Sequence, residues 1–353
     1  MLGVLLAVAT GLVGVLVLLL MILMSRLAIG IESKNKHGVS EQDCSRMGGF
    51  AVWASFFLYV FLYNLGWLGD VYRPFYFHQH IPAIFISLLI AVIGFFEDIN
   101  LTIRPLRRLF FMLVVALIYF GINDSLLPEA LDVFAANSLI NEPTVLFVGS
   151  VLLFVGFVNA GNFIDGANGL LALTIGAVFL FALIVSGEVI FSAIFLGLIT
   201  FAAYNMLTGK VILGDFGAYS ISSFCVLTCF YLYNNFEISI WFFGCLLSYP
   251  CFELIRIILV RLVNGSSPLQ SDELHFHNYL YSFLQNLGLS PHSANTLTGL
   301  LIAIVFSYVP LFLCLGEIIG LDSVVWLYLM AGYGLGLVVL ARLISPRKFK
   351  NPG

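Results

Sequence analysis

Long apolar runs broken by short polar clusters repeat along the whole chain. Eleven runs stand out, over residues 2–25, 48–68, 81–96, 108–122, 143–161, 167–185, 188–207, 217–233, 238–262, 293–314 and 324–343. A helix needs about 20 apolar residues to cross a bilayer. The runs are continuous where a β-barrel would alternate. Lipid offers backbone groups no partner, so each run must satisfy its own hydrogen bonds as a helix. The pattern predicts an all-α, polytopic integral membrane protein with about 11 transmembrane helices (10–11). Residues 1–353 form one membrane-embedded domain, with no internal repeat and no soluble domain of useful size.

The basic residues give this array a direction. With the N-terminus outside, the inside loops and helix ends carry Arg26, Lys34, Lys36, Arg46, Arg104, Arg107, Arg108, Lys210, Arg256, Arg261, Arg342, Arg347, Lys348 and Lys350, and the outside keeps Arg73. That bias predicts an N-out, C-in topology. The expected cytoplasmic loops are 26–47, 97–107, 162–166, 208–216 and 263–292.

Composition narrows the function classes. The chain of 353 residues is 61% hydrophobic and 10% charged, whereas a soluble protein is about half apolar and about a quarter charged. This excludes a soluble enzyme, a disordered chain and a nucleic-acid binder. Five of the six cysteines lie in apolar runs and none forms a ligand-spaced pair, so small buried side chains are expected. The first run is too long, and lacks the basic start, of a secretory signal. The outside acids, Glu188 among them, read as solvated loop charges.

Ionisable groups at the inside helix ends need a reason, because charge is costly at membrane depth. Glu97-Asp98, followed by Arg104, Arg107 and Arg108, can bind a divalent metal, or supply one base beside a metal, or form a helix-end charge pair. Asn159, Asn162, Asp165 and Asn168 lie between two apolar runs, with glycines that permit close backbone approach. Three-residue spacing puts Asn159, Asn162 and Asp165 on one helical face. Lys210 precedes Gly214-Asp215, where Asp215 is either a helix cap or a metal ligand. The loop 263–292 holds His275-Phe276-His277, open to phosphate contact, acid–base work or metal binding. Lys36 and Arg46 either orient the membrane segment or meet phosphate. Glu253 either lines the same pocket or pairs with Arg256. Together these groups suit metal-dependent phosphoryl transfer at the inner face, where hard oxygen donors favour Mg²⁺ or Mn²⁺.

Five motifs in order resemble the polyprenyl-phosphate N-acetylhexosamine-1-phosphate transferases, glycosyltransferase family 4. They are Arg46-Met47-Gly48-Gly49, Glu97-Asp98, Asn159 through Leu170, Gly214-Asp215-Phe216-Gly217 and His275-Phe276-His277. The chain departs from better-known members in Glu97, Asn168, Asn278 and Ala218-Tyr219. It thereby resembles a bacterial branch that initiates O-antigen and exopolysaccharide synthesis.

The resemblance implies transfer of a sugar-1-phosphate from a UDP-N-acetylhexosamine to undecaprenyl phosphate, with UMP released, at the cytoplasmic side of a bacterial plasma membrane. It implies Mg²⁺, with Mn²⁺ as a substitute, held by Asp215 and Glu97, and catalytic roles for Asp98 and Asp165. Substrate contacts would fall to Lys36, Arg46, Asn159, Asn162, Asn168, Lys210, His275 and His277. The expected partners are the two substrates and membrane lipids, with no nucleic acid and room for a homodimer. A secondary transporter and an inactive relative serving as a scaffold are the competing readings.

Overall fold

The structure is a computed structural model that describes residues 2–27, 30–32, 44–65, 77–101, 103–131, 140–268 and 274–345. Its helices are α1 (Leu2–Leu27), α2 (Gly48–Asn64), α3 (Phe77–Asp98), α4 (Pro105–Ile122), α5 (Pro143–Ile164), α6 (Leu170–Ser186), α7 (Val189–Thr208) and α8 (Gly214–Asn235). There follow α9 (Ile240–Leu246), α10 (Ser248–Val263), α11 (Phe276–Asn286), α12 (Pro291–Ala303), a π-turn (Ile304–Tyr308), α13 (Val309–Leu315) and α14 (Val325–Ile344). The all-α expectation holds. The strand pairing among the described residues is a two-residue antiparallel ladder, β1 (Ile31–Glu32) with β2 (Cys44–Ser45), extended by a bridge from Ser45 to Val211.

Among the described residues eight helices are long and apolar enough to cross a membrane, or nine if the bent pair α9–α10 is one span. Helices α2 and α6, at 17 residues each, account for the other two runs. The run 238–262, expected as one span, breaks at Leu247 with a 73° bend. Pro250 is the cause. It has no N–H for the Leu246 carbonyl, and its ring crowds that oxygen. Ser307 Oγ, from the π-turn, donates to the freed carbonyl at 3.0 Å.

Helix α8 is the centre of the molecule. Of its spanning window 89% is buried, against 17% for α1 and α4 and 11% for α14. Helices α2, α3, α5 and α6 pack directly on it. The outer helices present Leu19, Phe110, Ile118 and Leu335 outward, which fits helices whose solvent is lipid. Small residues allow the inner helices to meet. A Cβ on Gly49 of α2 would collide with the backbone of Gly217 in α8, and one on Gly94 of α3 with the backbone of Asp215. Close backbone approach replaces the hydrophobic drive that lipid removes. Trp53 Nε1 adds a 2.7 Å bond to Ser220 Oγ between α2 and α8.

Glu188 differs from its expected role as a solvated loop acid. It is 5% exposed at the end of the bundle remote from the sequence motifs. His80 lies 2.6 Å from its carboxylate, and Gln79 Nε2 and the Tyr231 hydroxyl donate to it. Burial pushes the Glu188 carboxyl up, but these hydrogen bonds outweigh it and leave the group below its ordinary value. The cluster ties together the ends of α3, α7 and α8.

Gly49→Val is expected to cost more than the about 1–3 kcal/mol typical of overpacking, because backbone cannot move aside. Gly121→Ala, whose Cβ would meet nothing within 4 Å, is the matched control. Thermal unfolding in detergent should separate the two, with a large loss for the first and none for the second.

Candidate active site

The sequence motifs meet at the beginning of α8. Gly214 opens the helix at φ +74°, with Arg46 O and both Asp98 carboxylate oxygens where a Cβ would stand. Any other residue there would be strained and would push the two segments apart. Asp98, the last residue of α3, is fully buried. Its Oδ1 accepts from the Asp215 N–H at 2.9 Å and its Oδ2 from the Phe216 N–H at 2.8 Å. The helix end therefore receives its cap from another helix, a distance of 117 residues along the chain. Sequence reasoning treated Asp215 as a possible cap. It stands inside the first turn, and its N–H is capped by Asp98.

Arg108 from α4 joins the acids. Its Nη1 lies 3.5 Å from Asp215 Oδ2 and 3.7 Å from Glu97 Oε2. These distances are long and the groups are partly exposed, so the pairing is weak and exchangeable. Glu97 also accepts from the Ile103 N–H at 2.5 Å, which shapes the turn between α3 and α4. Arg46 acts electrostatically on Asp98. Its backbone is fixed by Gly30, whose carbonyl accepts the Arg46 N–H at 2.9 Å. Next to it, Gly48 N–H and Gly49 N–H donate to Ile212 O and Leu213 O, so the Arg46 motif is bound to the segment that leads into α8. Lys210 sits on the same segment with its side chain exposed and its carbonyl accepting from Ser45 N–H. Lys36 lies outside the described residues.

The amide-rich motif is more helical than expected. Helix α5 runs to Ile164, through most of what was expected as the loop 162–166, and Asp165 is its C-cap. Asn162 Nδ2 donates to the Tyr219 hydroxyl of α8 at 3.4 Å. Asn159 turns its amide to the Val155 carbonyl and toward Met112 Sδ. Asn168 is tied elsewhere. Its N–H donates to Asn295 Oδ1 at 2.8 Å and its Nδ2 to Thr296 Oγ1 at 3.3 Å, on α12. Asn205 Oδ1 takes the next N–H, from Gly169. Asn168 thus anchors the loop after α5 to α12.

The histidines form the other wall. His277 is 3% exposed, beside Gly166, with the Tyr249 hydroxyl 3.3 Å from Nδ1. Burial, helped by the neighbouring His275, pulls the His277 imidazole down to about 3. His275 stacks on it at 5.2 Å and meets the edge of Phe163. Glu253, fully buried on α10, accepts from Arg256 Nε and Nη2 at 2.8 and 2.7 Å, and from Phe276 N–H at 2.9 Å. The choice left open for Glu253 falls on an ion pair with Arg256 that also contacts His275.

The site therefore consists of three sets of contacts: Glu97, Arg108 and Asp215 at the start of α8, Asn162 with Tyr219 between α5 and α8, and Gly166, His277, His275 and Glu253 in the histidine wall. Sequence reasoning did not single out Arg108 as a site group, nor Tyr219, Tyr249 or Phe163. Arg108 had a signal, as one of three arginines after the acidic pair. The aromatic residues had none among so many others. Among the described residues no group of three His, Cys, Asp or Glu is gathered to hold a metal alone. Mg²⁺ does not need one, since it takes one or two carboxylates and completes its shell with water and substrate phosphates. Asp215, with its side chain 23% exposed, and Glu97 are oxygen donors of that kind.

The family described as Glycosyl transferase family 4 matches residues 80–233. An undecaprenyl-phosphate alpha-N-acetylglucosaminyl 1-phosphate transferase of Thermotoga maritima is 30% identical over 128 residues, covering 36% of this chain and 40% of the relative. A probable undecaprenyl-phosphate N-acetylglucosaminyl 1-phosphate transferase of Bacillus subtilis is 26% identical over 331 residues, covering 89% and 84%. A phospho-N-acetylmuramoyl-pentapeptide-transferase of Carboxydothermus hydrogenoformans is 26% identical, covering 62% and 73%. The chain thus matches less than half the length of the Thermotoga relative and most of the other two.

Asp98→Asn puts an amide N–H against a backbone N–H at the start of α8. The expected loss is about 2 kcal/mol, the size of a hydrogen bond to a charged group, read as a fall in unfolding temperature. For His277 the unfolded chain takes up a proton below about pH 6.5 that the folded chain refuses until about pH 3. Stability should therefore fall as pH falls through that window. His277→Gln is expected to flatten the unfolding temperature against pH below 6.5.

Proposed function

We propose that this chain, which belongs to glycosyl transferase family 4, transfers an N-acetylhexosamine-1-phosphate from a UDP-sugar to undecaprenyl phosphate. The products are undecaprenyl-diphosphate-sugar and UMP, and the reaction initiates a cell-envelope polysaccharide. The observation that carries the reading is the start of α8. There a half-open Asp215 is held on a turn that Asp98 pins from α3, with Arg108 loosely shared between Asp215 and Glu97. The named relatives supply the substrate class.

An acceptor phosphate oxygen attacks the phosphorus that bears the sugar, and the bond from that phosphorus to the bridging oxygen breaks. The electron pair leaves with UMP. Direct attack needs no covalent enzyme intermediate. Asp98 serves by keeping the turn in place, since both its oxygens are engaged with backbone N–H groups. Arg108 is free to trade a long carboxylate contact for a phosphate oxygen, where a guanidinium binds more strongly. Asn162, bonded to Tyr219, and Asp165, the C-cap of α5, would meet the nucleotide and diphosphate. Lys36, Arg46 and Lys210 bring positive charge to the same end.

The acids fit Mg²⁺. Glu97, Asp98 and Asp215 face two guanidiniums, Arg108 and Arg46, which leaves the cluster negative. Asp215, with Glu97 beside it, would hold the ion together with the diphosphate, and Mn²⁺ would substitute. The metal would neutralise charge on the diphosphate and its leaving group. The site faces the cytoplasm in this reading, with the N-terminus outside, because the basic residues gather at that end.

Purified protein with undecaprenyl phosphate, Mg²⁺ and a panel of UDP-N-acetylhexosamines should release UMP, identified by mass spectrometry, and the active donor names the sugar. Release of UDP would refute sugar-1-phosphate transfer. Asp215→Ala should cut turnover by about 10²–10³-fold, as for loss of one electrostatic element of a site. Chelation should abolish turnover and added Mg²⁺ restore it.

A further inference from the structure

The two histidines of the His275-Phe276-His277 motif occupy different environments, and a pair of charged residues outside the motif makes the difference. His277 is enclosed, with Tyr249 on Nδ1 and the Gly166 backbone close to Nε2. It is held neutral by burial. His275 is only partly covered. Its Nδ1 lies 3.3 Å from Glu253 Oε1, and among the described residues its Nε2 has no hydrogen-bond partner.

Glu253 can be assigned a charge from its partners. It accepts two hydrogen bonds from the Arg256 guanidinium in bidentate geometry, and a third from the Phe276 N–H. A carboxylate so paired is ionised and can only accept. The atom facing it at His275 must therefore be a donor. That places a proton on Nδ1 and leaves Nε2 as the ring nitrogen that Glu253 does not engage. Arg256 also donates from Nη2 to the Leu274 carbonyl at 2.6 Å. The pair thus grips the backbone on both sides of His275, at residues 274 and 276, and the ring between them. Phe163, from the turn that carries Asn162 and Asp165, closes the edge of the ring.

We infer that Glu253 and Arg256 are positioning residues that fix the tautomer and orientation of His275, so that Nε2 is presented to the diphosphate of the nucleotide donor, while His277 packs as a neutral ring. This rests on the proposed transferase reading for the identity of the ligand. The tautomer itself does not depend on that reading. The Glu253 carboxylate behind Nδ1 offsets the positive charge of an imidazolium whose Nε2–H donates to an anionic oxygen of the bound diphosphate. His277 adds no opposing charge because it stays neutral. A lone buried ion pair is weak evidence of stabilisation. Its three added contacts to residues 274–276 give this one a different purpose.

The test uses full-length protein labelled with ¹⁵N-histidine in detergent or nanodiscs. His275 is assigned by loss of its signals in His275→Gln. The variant Glu253→Leu/Arg256→Met removes both charges together, which avoids leaving one buried and unpaired. In wild type Nδ1 of His275 should carry a proton. In the double variant that proton should move to Nε2, the tautomer preferred by an unconstrained imidazole. A bare Nδ1 in the wild type overturns the inference, and this result needs no variant to fold. A folded double variant with Nδ1 still protonated also overturns it. In turnover assays the double variant should raise KM for the UDP-sugar about tenfold, the equivalent of one charge-assisted hydrogen bond, with a smaller change in kcat. An unchanged KM with a shifted tautomer overturns the link to the diphosphate. Wild-type protein with Nδ1 protonated but no transfer from any donor supports the positioning and refutes the reaction reading alone.

Discussion

A single carboxylate organises the working end of this molecule. Helix α8 is buried along nearly its whole length, so the N–H groups of its first turn cannot turn to water. An unpaired buried N–H costs about 1–3 kcal/mol, and α8 has no capping side chain of its own at Leu213. Asp98 meets that need from the end of α3. The consequence is geometric as well as energetic. Two segments separated by more than a hundred residues are brought to hydrogen-bonding distance, and the Asp215 carboxylate lies beside Arg108.

The glycines of the motifs follow from the same convergence. Gly214 accommodates both Arg46 O and the Asp98 carboxylate, Gly94 lets α3 lie against the Asp215 backbone, and Gly49 lets α2 touch Gly217. Each removes a Cβ where two backbones approach. The glycines are thus mainly a packing device, and the chemistry falls to the side chains they bring together. The opposite end of the bundle has its own polar lock, in which Glu188 collects His80, Tyr231 and Gln79. The bundle is thus fastened by buried polar contacts at both ends, with apolar packing between them.

The bend at Leu247 links the fold to the histidine wall. Pro250 breaks what composition presents as one long span. The freed Leu246 carbonyl finds Ser307, which lies in a π-turn, an irregularity that tends to occur at functional sites. The redirected α10 carries Glu253 and Arg256, and these hold residues 274–276. A proline that interrupts one membrane helix thereby determines where a histidine three helical turns and a loop away is held.

The helical class, the positions of nearly all helices and the clustering of ionisable residues at one end were legible in the amino-acid sequence, because lipid forces backbone groups to pair within a segment and makes stray charge costly. Those rules act locally, over about 20 residues. They also marked Asp98, Asp165, Asp215, His275 and His277 as unusual. They did not show that Asp98 would cap α8 at Asp215, that Asn168 would bond to α12, or that one short motif holds two unlike histidines. They missed the burial of Glu188 as well. These distinctions depend on which groups from distant helices come within 3 Å or so of one another. Only the tertiary structure settles that, since a hydrogen bond between residues 98 and 215 leaves no periodicity in the chain.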